Sequence, residues 1–64
     1  MKKYRVCIKS YESNNSELAE YNVYIFKDNS ELETAKIKAK DMIDRFNNQS
    51  NGIIYELFDI EEVI

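Results

Sequence analysis

The side chains able to do chemistry in this chain are few and scattered. Cys7 stands between Arg5 and Lys9 at alternate positions. Two cations beside a thiol favour the thiolate, the form that attacks and ligates. No histidine occurs anywhere in the 64 residues to act as its base, so a structural, half-exposed cysteine is the expectation. Carboxylates are plentiful, at Glu31 and Glu33, Asp41 and Asp44, and Asp59, Glu61 and Glu62. These groups suit a helix start, a solvated helix face and a charged tail. None is spaced with further ligands for a metal, or with a buried partner for acid–base work. One glycine cannot build a phosphate-cradling loop. The expectation is a protein that is not an enzyme, with no cofactor, no metal site and no small-molecule substrate.

A second chemistry is recognition of nucleic acid. Lys3, Arg5 and Lys9 would meet phosphates while Tyr24 and Phe26 stack on bases. Against it stand ordinary cross-strand pairing of these cations with Glu20, Glu56 and the rings, and a formal charge of −3 where a nucleic-acid binder is normally basic. Lys36, Lys38 and Lys40 fall at different angles around a helix and interleave with Asp41 and Asp44, which describes a solvated surface. Ile37 lies off the helix's apolar side and becomes a contact only if the helix is itself an interface.

Three strands and a helix must position these groups. Lys2 to Ser10 alternates, with Tyr4, Val6 and Ile8 on one face and Lys3, Arg5, Cys7 and Lys9 on the other, the pattern of a half-buried strand. Leu18 to Lys27 is a second strand, rich in Tyr, Val, Ile and Phe. Asn14-Asn15 between them suits a two-residue type I′ turn, which needs φ > 0 at both central positions. That turn predicts Ile8 opposite Tyr21, Val6 opposite Val23 and Tyr4 opposite Ile25, with Lys9 meeting Glu20 on the other side. Its one defect is Glu12 opposite Glu17, where the strands would open into a longer loop. Ser30 with Glu33 three residues on reads as a capping box. The stripe Leu32, Ala35, Ala39, Met42, Ile43 and Phe46 then marks a helix ending near Asn47 or Asn48. Asn51-Gly52 turns the chain into a third strand, Ile53 to Ile60.

Connection rules complete the fold. A helix between the second and third strands makes them parallel, with a right-handed crossover. The simplest sheet is then three-stranded and mostly antiparallel, in the order 2-1-3, with the helix on one face. The expectation is an α+β, ββαβ fold forming a single domain over residues 1–64.

Nothing remains to cover the other face. Placing Ile53, Tyr55 and Leu57 toward the helix avoids burying Glu56 and puts Ile54, Phe58 and Ile60 outside. Tyr24 and Phe26 are expected beside them, with Tyr11 and Leu18 extending the patch. An apolar patch of this size marks an interaction site, unless Lys3, Arg5 and Lys9 lie across the rings and mask them. The interface candidates are therefore Lys3, Arg5, Tyr24, Phe26, Ile54, Phe58 and Ile60. The reading is a small intracellular interaction module that forms a homodimer or binds a protein partner through the open sheet face. The alternative is nucleic-acid binding through Lys3, Arg5, Lys9 and the nearby rings.

Composition sets the surroundings. Apolar residues at 44% and charged residues at 33% describe a folded chain. A lone cysteine excludes an internal disulfide and favours a reducing, cytoplasmic setting. Met1-Lys2-Lys3 is followed by no apolar stretch of a signal peptide, and no run is long enough to span a membrane. Frequent Asn, Ile, Lys, Tyr and Glu suit an AT-rich source such as a low-GC bacterium or its phage, where compact acidic modulators and inhibitors fit.

Overall fold

The computed structural model describes residues 1–64. Strand β1 runs over Lys2–Glu12 and β2 over Asn15–Asp28; helix α1 follows over Leu32–Gln49 and β3 over Ile53–Val63. The sheet order is β2-β1-β3, with β1 antiparallel to both neighbours. This is the α+β, ββαβ arrangement that the alternation, the helical stripe and the connection rules predict.

The alternation of β1 sends Tyr4, Val6 and Ile8 under the helix, where they are almost wholly buried. From α1, Ala35, Ala39 and Ile43 come down onto them, and Ile60 of β3 completes the core. Two alanines at the contact let the helix sit close to the sheet. Phe26, Leu32, Met42, Phe46, Tyr55 and Leu57 close the flanks half-buried. Paired rings at 5.6 Å mark both sides, Tyr4 with Phe26 and Phe46 with Tyr55.

The register of β1 with β2 differs from expectation by one residue. Tyr4 pairs with Phe26, Val6 with Tyr24 and Ile8 with Asn22. A one-residue slip turns every side chain to the other face. Tyr24 and Phe26 therefore lie on the helix side, and Tyr21, Val23 and Ile25 on the open side. The cause is the hairpin end. Ser10 pairs with Glu20 but Glu12 with Asn15, so residues 16–19 of β2 face Tyr11 alone. The turn residues are Ser13 and Asn14. No residue other than Gly52 has positive φ, so the expected type I′ turn is absent. The irregularity also separates Glu12 from Glu17, removing the like-charge pair that a regular hairpin would impose.

A second irregularity lies in β3. Cys7 pairs with Asp59 and Ile8 with Leu57, which leaves Phe58 unpaired as a bulge. Such an extra residue breaks the alternation. Ile53, Tyr55 and Leu57 face the helix before it, and Ile60 faces the helix after it. Ile60 is accordingly buried, in place of the expected open-side position.

The start of α1 also differs. Glu31 occupies the N-cap position without a side-chain cap. Ser30 does not cap; its hydroxyl donates to the Asp28 carboxylate, which also accepts from Lys38 Nζ at 2.8 Å. The Ser30 carbonyl accepts the Tyr4 hydroxyl at 2.6 Å. The helix starts at Leu32, which leaves Ser30 one position before the N-cap. Lys38 and then Ser30, both bonded to the carboxylate, hold Asp28 below the usual carboxylate range. The helix runs on to Gln49, slightly past the predicted stop. Gly52 alone, at φ 90°, makes the left-handed step into β3. Ser13 N–H donates to the Gly52 carbonyl at 2.9 Å, tying the hairpin tip to this turn.

Candidate interaction face

The helix covers one side of the sheet, and no element covers the other. Side chains of β1 on the open side are Lys3, Arg5, Cys7, Lys9 and Tyr11. From β2 come Tyr21, Val23 and Ile25, exposed at 52%, 58% and 56%. From β3 come Ile54, Glu56, Asp59, Glu61 and the bulged Phe58, which is 61% exposed. The bulge aims Phe58 outward, and its ring meets that of Tyr21 edge-on at 5.0 Å. The two rings reach toward each other across the central strand, near half-buried Cys7.

Together the exposed parts of Tyr21, Val23, Ile25 and Phe58 amount to roughly 400 Å², taking ~150–250 Å² for a whole aromatic side chain. A contiguous patch on this scale matches the largest apolar patch of a typical monomer, which is often functional. The charges lie beside it, on the central strand β1 and on β3. Arg5 pairs with Glu61 across the β1–β3 ladder. Lys9 Nζ lies 5.5 Å from the centre of the Tyr11 ring. The Tyr11 hydroxyl donates to Glu56 Oε1 at 3.0 Å, and that bond raises the phenol's pKa above its ordinary value. The apolar side chains thus form a strip along the edge strand β2, joined by Phe58 from β3, with the charged side chains of β1 and β3 beside it.

The expected site residues divide accordingly. Lys3, Arg5, Ile54 and Phe58 are brought together on the open face. Tyr24, Phe26 and Ile60 are not, since the hairpin irregularity and the bulge turn them to the helix side. Tyr21, Val23 and Ile25 take their place, and residue type alone could not reveal this because β2 is apolar on both faces. Arg5 is engaged with Glu61 and Lys9 with Tyr11, and Val23 and Phe58 stay exposed. No three His, Cys, Asp or Glu side chains converge anywhere on the molecule. No helix is long and apolar enough to cross a membrane.

Searches among protein-family models, curated proteins and solved structures find no match to this chain. Any reading of its function therefore rests on the geometry.

Proposed function

We propose that this protein is a non-catalytic interaction module that self-associates through the open face of its sheet. The observation that carries the reading is the exposed Tyr21, Val23, Ile25 and Phe58 cluster on a face that no element covers. Two measures of shape support it. The chain exposes 4836 Å², where a compact monomer of 7.6 kDa exposes roughly 4,300 Å². Its radius of gyration is 12.5 Å, against roughly 11 Å for a compact domain of this length. The molecule is a slab of 39 × 20 × 14 Å. Its broad face offers a footprint of roughly 800 Å², the area each partner contributes to a standard interface.

A second copy is the partner this face suggests. Two sheets pack face to face about 10 Å apart with strands nearly aligned, and a two-fold axis would bring the apolar strips of the two copies together. The Arg5–Glu61 pair and the Lys9, Tyr11, Glu56 group would lie beside them. The same face supports nucleic-acid binding less well, because Glu56, Asp59 and Glu61 share it with Lys3, Arg5 and Lys9. A modulator or inhibitor of another protein, held by the same apolar cluster, is the reading that a monomer would favour.

Molar mass by light scattering over a wide range of protein concentration tests the proposal. A mass rising toward twice that of the chain supports it. A constant monomer mass up to millimolar protein refutes self-association.

A further inference from the structure

The helix side of the sheet is also incompletely covered. Helix α1 lies over β1 and β3, and it leaves the inner face of β2 bare from Asn22 to the hairpin tip. The result is a trough of about 530 Å³. Its floor is Ser10 and Glu12 of β1. One wall carries Leu18, Glu20, Asn22 and Tyr24 of β2, and the other Ile53 and Tyr55 of β3. A volume of this size accommodates one or two large side chains of a ligand.

The β3 wall is held in place. Asn47 at the end of α1 accepts from Tyr55 N–H at 2.8 Å and donates to the Tyr55 carbonyl at 3.0 Å. Ser50 closes the turn by donating to the Ile53 carbonyl at 2.8 Å. The Ser13 bond to Gly52 joins the hairpin tip to the same turn. The trough is thus formed before any ligand arrives, which lowers the cost of binding.

Its electrostatics have one sign. Glu12 and Glu20 are the charged lining residues, and no Lys or Arg lines it. The last turn of α1, beside Tyr55, contains no basic residue to offset the negative end of the helix dipole. Leu18, Tyr24, Ile53 and Tyr55 supply apolar surface beside the carboxylates, and tyrosine faces attract cations. Nucleic acid and acidic peptides carry the wrong charge.

We infer that this trough docks a basic-apolar segment of another protein, with Lys or Arg meeting Glu12 and Glu20 and a neighbouring Leu or Phe seated between Tyr24 and Tyr55. The trough lies on the opposite side from the self-association face, so a dimer would carry two such sites, and either reading can fail alone.

The test is an NMR titration of the ¹⁵N-labelled protein with acetyl-Arg-Leu-Arg-Phe-amide, using acetyl-Glu-Leu-Glu-Phe-amide as the counter-probe. The arginine peptide should shift the amides of Leu18, Asn22, Tyr24 and Ile53 and leave those of Phe58 and Glu61 in place, while the glutamate peptide shifts none. The double substitution Glu12→Gln with Glu20→Gln should weaken binding about five- to tenfold, as two exposed ion pairs allow. Glu33→Gln with Asp44→Asn makes the same change of net charge at a distance and should weaken it less than about twofold. Absence of shifts, shifts centred on the open face, or equal loss in the two double variants would overturn the proposal.

Discussion

Replacing Val23 by lysine puts both the register and the proposed interface at risk in one experiment. Val23 sits on the open face opposite Cys7 and is 58% exposed in the single chain. Full burial of a valine side chain is worth roughly 1.5–3 kcal/mol, so about 1 kcal/mol per copy remains to be gained when a second sheet covers it. A lysine ammonium there loses that gain and adds at least ~1 kcal/mol per copy for a polar group buried without a partner. Two-fold symmetry counts each change twice, giving about 4 kcal/mol, or a dimer weakened about a thousandfold. The assay is sedimentation velocity over a concentration series, with far-UV circular dichroism on the same samples. The folded variant should stay monomeric where the parent is dimeric. Tyr24→Lys, one residue along but on the helix side, should leave association unchanged. Had Val23 paired with Val6 as a regular hairpin requires, Val23→Lys would instead charge the core and unfold the chain. Unfolding by Val23→Lys would therefore refute the register, and a folded variant with undiminished association would refute the interface.

Three further outcomes follow from the geometry. Deleting Phe58 should leave Leu57 and Ile60 facing the helix, because it removes only the unpaired residue between Asp59 and Leu57; circular dichroism should stay native-like while association is lost. Tyr4→Phe removes the hydroxyl that bonds the Ser30 carbonyl at 2.6 Å; urea unfolding should show a loss of about 1 kcal/mol, and a change below a few tenths would mean that the bond contributes little. Asp28 is held below the usual carboxylate range by Lys38 and Ser30. A folded-state pKa below the unfolded one stabilises above the unfolded value, and that contribution disappears as pH falls through the folded value. The melting temperature should therefore drop below about pH 4, and Asp28→Asn should make that drop shallower.

Much of this architecture was legible in the residues. The alternation of Tyr4, Val6 and Ile8 located the core strand, the stripe from Leu32 to Phe46 located the helix and its buried side, and the helical crossover implied the order β2-β1-β3. The inner and outer faces of β2 were not legible. Tyr21, Val23 and Ile25 make as good an apolar face as Tyr24 and Phe26, so the pattern cannot choose between them, and the choice falls to the loop. A loop with one fewer or one more residue reverses the answer, and the irregularity at residues 16–19 leaves no mark in composition. Ile60 was misplaced for a related reason, since strict alternation through β3 ignores the bulge. The capping box failed because the helix starts one residue later than the Ser30–Glu33 pattern implies, with Glu31 at the N-cap. Lys3, Arg5, Ile54 and Phe58 lie on the open side of the sheet as the alternation implied, while the β2 residues on that side came from the structure.

The bulge at Phe58 has a consequence for how such a surface could change over generations. Adding or losing a single residue inside a strand normally inverts everything beyond it and destroys the fold. Here the extra position lies between two segments that each meet β1 in their own correct phase. An in-frame loss of one codon would leave every core contact intact and take away the largest exposed ring. A point change at that codon would alter the ring without touching the core. The open face at Phe58 is therefore free to drift while the interior that folds the chain stays fixed.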